Sequence, residues 1–339
     1  MGDFEKIQLG VVGLGNFGRW RLDKLRQTGL FEVRSCFDVD AEVCERVAAR
    51  ERAQAARSLD EFLETKGLEA VVVSTGADTH APLALAAVDA GKHVFIEKPL
   101  CSTPQEMRAL LEARKKTGLV FGVGHKAVNA PVDRIVRQYM ESGRLGQLMA
   151  ISLHTMHGPF RMPAWQKTRE KNPGGMLFQC GVHQTHWMQS LFGPVTEVMS
   201  MMRYDINPQS EAADVCVVLY RLASGVLVTQ HAHHVTAYEH TAHLYGTLGT
   251  LYTNETPEEV FFQERREDGG VESRVAVPLS ASEGPDDAGT TNLISWARAI
   301  RGQGQPDPGL EEGARAVAVI FAAVESAEKG TAVRVPDLL

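Results

Sequence analysis

The chain has 339 residues, which exceeds the roughly 250–300 residues at which a single hydrophobic core stops growing, so two domains are expected. Hydrophobic residues make up 44% and charged residues 23%, a globular composition that argues against intrinsic disorder. The net charge is −7 and no block is rich in Lys and Arg, so nucleic acid is not expected as a partner.

Neither a membrane span nor a disulfide framework is expected. The longest purely apolar stretch, residues 316–324, is far shorter than the ~20 residues that a membrane helix requires. The five cysteines are odd in number and widely spaced, a pattern typical of reduced thiols. We therefore expect a cytoplasmic protein.

The first part of the chain alternates strand and helix patterns. Continuous apolar runs typical of buried strands precede stretches with helical periodicity, and Thr103, Pro104 and Glu106 give a clear helix start. This alternation predicts a doubly wound parallel sheet, hence an α/β N-terminal domain over residues 1–123. The predicted strands are 7–12, 33–37, 70–75, 93–96 and 119–123, and the predicted helices include 16–28, 42–56 and 81–90.

After Gly124 the pattern changes to longer β segments separated by turns. We predict an α+β domain over residues 124–339 with a large open, mainly antiparallel sheet. The predicted strands are 148–155, 195–202, 214–221, 226–232 and 241–245, and the predicted helices are 132–142, 293–300 and 311–326.

A glycine-rich motif follows the first strand directly. Gly13, Gly15 and Gly18 fit the G-x-G-x-x-G pattern, with Asn16 and Phe17 between them. These glycines permit a tight turn and close approach of a pyrophosphate to a helix N-terminus. The same pattern also occurs in ordinary glycine-rich turns, but here the strand, the helix and a later acid are all in place. The motif predicts dinucleotide binding.

The later acid is Asp38, which lies 20 residues after Gly18 at the end of the second predicted strand. Its carboxylate would accept hydrogen bonds from the adenosine ribose and would repel a 2′-phosphate. Since no Lys or Arg follows closely, the sequence favours NAD over NADP.

Glu97-Lys98-Pro99 stands just past the strand 93–96, where ligands bind in an open α/β sheet. A lysine there suits proton transfer to a substrate held beside the cofactor. The alternative is a solvated Glu-Lys turn.

The sequence resembles the family of glucose–fructose oxidoreductase and inositol dehydrogenase (Gfo/Idh/MocA). The similar stretches are Gly13–Gly18, residues 71–75 with His80, residues 90–99, and Gly174-Gly175 through His183. The resemblance implies a Rossmann domain, an α+β domain for substrate binding and oligomerisation, and NAD(P)-linked chemistry on a sugar, inositol or related polyol. It also implies a homodimer or homotetramer formed through the C-terminal sheet. The implied cofactor residues are Gly13, Gly15, Asn16, Phe17, Gly18, Asp38, Ser74, Thr75, His80, Glu97 and Lys98.

The family's usual active site combines the Lys of Glu-Lys-Pro with an Asp and a His four residues apart. Here these positions are Lys98, Gln179 and His183, and the family's further Asp is replaced by His186. Gln179 cannot ionise, so it would orient His183 or bind a hydroxyl. Lys126, in place of a commoner Arg, and His186 are further expected substrate residues.

Nine of the twelve histidines lie between His154 and His243. Converging histidines could bind Zn²⁺, but no cysteine or carboxylate stands at metal-ligand spacing, so no metal is expected. Hydrogen-bonding histidines in a polar sugar pocket that includes His157, or at a subunit interface, are favoured instead. Trp165 is either a substrate contact or surface packing.

These observations predict an NAD-dependent sugar or polyol oxidoreductase in which Lys98 and His183 move the proton and Gln179 assists. Two alternatives stay open. One is an enzyme that recycles a tightly bound NAD during hydrolysis, elimination or epimerisation, and the other is a non-catalytic NAD-binding sensor.

Overall fold

A computed structural model describes residues 5–158, 162–234, 236–270, 272–279 and 288–337. The helices are α1 (Asn16–Thr28), α2 (Ala41–Glu51), α3 (Leu59–Leu63), α4 (Ala77–Asp89), α5 (Pro104–Lys116), α6 (Pro131–Glu141), α7 (Val182–Phe192), α8 (Ala288–Ile300) and α9 (Leu310–Lys329). The strands are β1 (Ile7–Val12), β2 (Phe31–Phe37), β3 (Gln54–Ala55), β4 (Ala70–Val73), β5 (His93–Ile96), β6 (Phe121–Val123), β7 (Leu148–Met156), β8 (Val195–Arg203), β9 (Val215–Leu222), β10 (Leu227–His233), β11 (Glu239–Gly246), β12 (Gly249–Glu255), β13 (Glu258–Glu264), β14 (Val275–Ala276) and β15 (Val333–Arg334). None of these helices has the length and apolarity needed to cross a membrane.

The described residues divide into two compact units. The first contains Met1–Ala127 and Asp287–Ala314, and the second contains Val128–Asp286 and Arg315–Leu339. The sequence-based domain 124–339 did not include this return of the chain to the first unit. The physical reason is Trp296 of α8, which is fully buried against the rings of Phe31 and Phe95 at centroid distances of 5.7 and 5.4 Å.

The first unit is built on a six-stranded parallel sheet in the order β3-β2-β1-β4-β5-β6. Strand β4 is completely buried and purely β-branched apart from Ala70, as expected of a strand covered on both faces. The predicted doubly wound parallel sheet is confirmed. Its carboxyl edge carries the turns that follow β1, β2, β4 and β5.

The second unit is built on a nine-stranded sheet in the order β14-β13-β12-β11-β7-β10-β9-β8-β15. Its described strand pairs are antiparallel except β7 with β10, which run parallel. The predicted α+β class with a mainly antiparallel sheet is confirmed. Strands β12 and β13 were not predicted, because charged and polar residues such as Glu258, Glu259 and Gln263 interrupt their apolar alternation.

Candidate functional site

The glycine-rich turn between β1 and α1 has the shape that a dinucleotide phosphate requires. Gly13 adopts a φ of +88°, and a Cβ at Gly18 would lie 2.0 Å from the carbonyl oxygen of Gly13. These two glycines therefore keep the turn closed. A Cβ at Gly15 would meet no atom within 4 Å, so the backbone here borders open space that a phosphate could approach.

The N-terminus of α1 fits an anion. Gly15 is its N-cap and provides no side-chain hydrogen bond, and the first turn contains no acidic residue. The first helical residues are Asn16 and Phe17, whose backbone N–H groups lie at the positive end of the helix dipole. The side chain of Asn16 instead accepts a hydrogen bond from Arg19.

Asp38 lies at the carboxyl end of β2, beside the glycine-rich turn. Its Oδ2 accepts a hydrogen bond from the backbone N–H of Leu14 at 2.6 Å, and its Oδ1 accepts one from Asp40 at 3.0 Å. The carboxylate is only partly buried, so it remains open to a ligand while these bonds fix its orientation. The sequence placed Asp38 correctly at this edge.

The residues after β4 supply a second group of polar atoms. Ser74 is buried beside Gly18, and its Oγ has no hydrogen-bond partner among the described residues. Next to it, the side chain of Thr75 accepts a hydrogen bond from Thr79 at 2.7 Å. A buried hydroxyl without a partner at the mouth of a glycine-rich turn fits a polar ligand group.

His80 connects the turn after β4 to the Glu-Lys-Pro turn after β5. Its Nδ1 lies 2.8 Å from the carbonyl oxygen of Pro99, and its Nε2 lies 3.2 Å from that of Thr75. Both partners only accept, so a neutral ring can donate to one of them at a time. Burial lowers the pKa of His80, which favours the neutral ring. His80 therefore holds the position of the turn, which includes a cis bond between Lys98 and Pro99.

Glu97 is held in the interior by Arg21, a residue that the sequence reasoning did not identify. The Arg21 Nε lies 2.5 Å from the Glu97 Oε1, and both side chains are almost completely buried. A Cβ at Gly124 would lie 2.3 Å from the Glu97 Oε2, so glycine is needed there. Glu97 thus anchors the backbone directly before Lys98.

Lys98 projects toward the glycine-rich turn. Its Nζ lies 5.9 Å from the ring centroid of Phe17, and that ring is 45% exposed. The ammonium group therefore stands at the same sheet edge as the residues expected to bind the cofactor. Lys126 is exposed and belongs to the first unit, although the sequence assigned it to the second domain.

In the second unit, Gln179 and His183 lie on consecutive helical segments. Gln179 is in a π-helical turn (Leu177–Gly181), and π-turns are frequent at functional sites. His183 and His186 both lie on α7, as their spacing predicted; His183 is partly exposed and His186 is buried.

A buried polar network fixes α7 to the sheet. The Gln184 side chain accepts a hydrogen bond from Thr155 of β7 at 2.5 Å and donates to the backbone carbonyl of His154 at 2.9 Å. The Gln230 side chain of β10 donates to the carbonyl of Gly181 at 3.0 Å. Rigid attachment of this kind sets the position of His183.

Gln179 belongs to a group of hydrogen-bonded amides. Its side chain contacts Gln166 and Asn172 at 3.1 and 3.3 Å. Neither partner belongs to a recognisable sequence motif, so sequence reasoning did not identify them. Trp165, next to Gln166, is half-buried.

The histidines of the second sheet form a cluster away from α7. His154 has its ring 5.3 Å from that of His231 and 5.8 Å from that of His243, and its Nδ1 lies 2.6 Å from Glu239. His157 packs edge-on against Tyr238 at 5.2 Å. Within the described part of the chain, no group of three or more His, Cys, Asp or Glu side chains could hold a metal ion.

Comparison with known families decides the identity of this arrangement. The model of an oxidoreductase family with an NAD-binding Rossmann fold matches residues 7–125, and that of the Gfo/Idh/MocA C-terminal domain matches residues 134–252. The chain belongs to the Gfo/Idh/MocA oxidoreductase family. Its first unit is an NAD-binding Rossmann domain, and the glycine turn, the uncapped helix and Asp38 fit that cofactor.

Individual members of the Gfo/Idh/MocA family are similar over most of their length. The chain is 28% identical to 1,5-anhydro-D-fructose reductase of Ensifer adhaerens over 333 residues, covering 96% of this chain and 98% of the relative. It is 26% identical to scyllo-inositol 2-dehydrogenase (NAD(+)) of Bacillus subtilis, with 73% of each chain covered. A structure of levoglucosan dehydrogenase in complex with NADH has the same fold, with a TM-score of 0.86, 20% identity and coverage of 98% and 100%.

Proposed function

We propose that this Gfo/Idh/MocA oxidoreductase transfers a hydride between NAD and a hydroxyl-bearing carbon of a sugar, inositol or related cyclic polyol. The observation that carries the proposal is the shared sheet edge of the glycine turn, Asp38 and Lys98. The relatives support the substrate class, since their names specify an anhydrosugar and an inositol as substrates.

The proton is handled by Lys98 and His183 in this proposal. When bound, NAD supplies the hydride acceptor. In oxidation, the Lys98 Nζ binds the reacting oxygen and takes up its proton, which the His183 imidazole then accepts near neutral pH. In reduction, the proton returns to the oxygen along the same route. Gln179 holds no charge, so it contributes hydrogen bonds to the substrate or to His183.

Asp38 sets the cofactor preference in the same proposal. Its carboxylate faces the place where the adenosine ribose would lie and repels a 2′-phosphate. The following residue, Val39, is 97% exposed and uncharged, so this position supplies no cation to compensate. We therefore expect NAD to be preferred over NADP.

The first experiment measures the cofactor content of the purified protein and then absorbance at 340 nm. Scyllo-inositol and levoglucosan are offered with NAD, and 1,5-anhydro-D-fructose with NADH. Turnover of one of them supports the proposal. Bound NAD(H) with a flat trace would replace it by an enzyme that recycles its NAD or by a sensor.

Variants test the two proton-handling residues. Lys98→Ala and His183→Ala should each reduce kcat by about 100-fold or more, because general acid–base catalysis contributes roughly 10²–10⁴-fold. Lys116→Ala is the control for Lys98, since Lys116 is an exposed lysine at the end of α5. Near-normal turnover in either site variant would remove that residue from the mechanism.

The open face of the nine-stranded sheet is our proposed surface for a homodimer or homotetramer. Adjacent strands align the exposed apolar side chains Met199 with Leu219 and Met201 with Val217. Contiguous exposed apolar surface of this kind is typical of protein interfaces. Met201→Lys should convert an oligomer to monomers in light scattering; an unchanged mass would contradict the assignment.

The proposed location is the cytoplasm. None of the five cysteines is in a disulfide, and burial raises the pKa of Cys36 to about 12, so that thiol is largely protonated. Free thiols fit a reducing compartment. Fractionation of the native host would test this location.

A further inference from the structure

Three amide side chains of the second unit form a hydrogen-bonded series. The Asn172 Nδ2 donates to the backbone carbonyl of Gln166 at 2.8 Å. The Gln179 Nε2 donates to the Asn172 Oδ1 at 3.3 Å, and the Gln166 Nε2 donates to the Gln179 Oε1 at 3.1 Å. Asn172 and Gln179 are 0% and 4% exposed, so the series lies in the interior.

The direction of this series is fixed by its first member. A backbone carbonyl oxygen only accepts, so Asn172 must turn its NH₂ group toward Gln166 and its oxygen toward Gln179. Gln179 must then donate to Asn172, and its own oxygen is left to accept from Gln166. Each amide therefore has one orientation, and the series ends at the Gln166 Oε1.

The Gln166 Oε1 is buried and has no hydrogen-bond partner among the described residues. Buried carbonyl oxygens are ordinarily paired, because an unpaired one loses its hydration without compensation. Gln166 as a whole is partly exposed, although this oxygen itself is buried. The three side chains of the series are uncharged, which suits a neutral donor such as a hydroxyl group.

We propose that the Gln166 Oε1 accepts a hydrogen bond from a substrate hydroxyl, which makes Gln166 a specificity-determining residue. The inference rests on the proposed sugar or polyol activity and extends it to a residue outside the family motif. Gln166 contacts Gln179, the residue at the family's Asp position, so the hydroxyl would be bound next to the proposed site. An ordered water on the same oxygen is the competing occupant.

The experiment uses the full-length protein and whichever of scyllo-inositol, levoglucosan and 1,5-anhydro-D-fructose the wild type converts. Gln166→Met should raise the KM for that substrate about tenfold, the size of one lost hydrogen bond to a ligand, with an unchanged KM for NAD(H). Gln138→Met is the matched control, because Gln138 is an exposed glutamine on α6.

Monodeoxy analogues of the same substrate separate a direct contact from an effect through Gln179. For the analogue that lacks the bound hydroxyl, the KM ratio between Gln166→Met and wild type should fall to about one. If the KM ratio is the same for the parent and for every analogue, the inference is overturned while the proposed function stands. An unchanged KM for the parent in Gln166→Met would also overturn it and would indicate that the oxygen binds a water. If the wild type converts none of the three substrates, the proposed function fails and this inference fails with it.

Discussion

Arg21 and Glu97 form an ion pair in the interior of the Rossmann unit, with 2.5 Å between Nε and Oε1. Arg21 also donates to the carbonyl of Gly289 at 2.9 Å, and its guanidinium lies 4.9 Å from the ring centroid of Phe95. Glu97 directly precedes Lys98. A charge pair buried this completely links helix α1, the strand β5 and the start of α8 to the residue proposed to carry the proton.

Breaking this pair should strongly destabilise the protein. Arg21→Met leaves the Glu97 carboxylate buried without its cation, and the loss of one partner of a buried pair costs about 3–5 kcal/mol. Urea unfolding monitored by circular dichroism measures the change in the free energy of unfolding.

The double variant Arg21→Met/Glu97→Gln provides the control for that measurement. Replacing both charges removes the unpaired carboxylate, so the double variant should be more stable than Arg21→Met alone. A double variant whose loss equals the sum of the two single losses would show that the residues are not coupled.

The motif-bearing turns of the Rossmann unit could be predicted because local sequence determines them. Gly13 and Gly18 occupy backbone positions where a side chain would clash, Gly15 borders open space, and α1 begins and ends at the predicted residues. Asp38 was found by its distance along the chain, which the strand and helix lengths of a βαβ unit fix.

The supporting residues could not be predicted, because they depend on contacts between distant segments. Arg21 lies on an otherwise ordinary helix, where an arginine side chain is normally exposed to solvent. Gln166 and Asn172 acquire a role only when folding brings them to Gln179. Trp296 likewise shows its packing partners, Phe31 and Phe95, only in the folded unit.

Two glycines of the same turn should respond differently to alanine. Gly15→Ala adds a methyl group where the fold has open space, so stability should change by less than about 1 kcal/mol. The same methyl obstructs the approach of the phosphates, so the Kd for NAD should rise about tenfold or more. Gly18→Ala would clash with the Gly13 carbonyl oxygen and should lower the free energy of unfolding by roughly 1–3 kcal/mol.

Calorimetry of NAD binding and thermal unfolding of the two variants give both quantities. The decisive comparison is weakened binding without destabilisation in Gly15→Ala. If that variant binds NAD like the wild type, the phosphates do not lie against Gly15.

Asp38→Ala should alter cofactor preference. It removes the proposed ribose acceptor, so the KM for NAD should rise about tenfold, while that for NADP should change much less because the repulsion is also gone. Adding Val39→Arg places a cation at a fully exposed position, and the double variant should favour NADP. Steady-state kinetics with both cofactors measure the ratio; an unchanged KM for NAD in Asp38→Ala would refute the assignment.

Acidification should destabilise the second unit through His234. Burial lowers the pKa of His234 from 6.5 to about 4, and the nearby charge of Asp214 only partly opposes this shift. The unfolded chain binds the proton more readily than the folded one, so stability is fully present above pH 6.5 and is lost as the pH falls toward 4. At pH 5 the loss from this group alone should be on the order of 2 kcal/mol.

The contribution of His234 is isolated by comparing the wild type with His234→Gln at pH 7.5 and pH 5. Burial also lowers the pKa values of His80, His231, His233 and His243, so both proteins lose stability in acid. The variant should lose less than the wild type, because glutamine does not titrate. Equal losses of unfolding free energy in urea would mean that His234 is protonated as easily in the folded protein as in the unfolded chain.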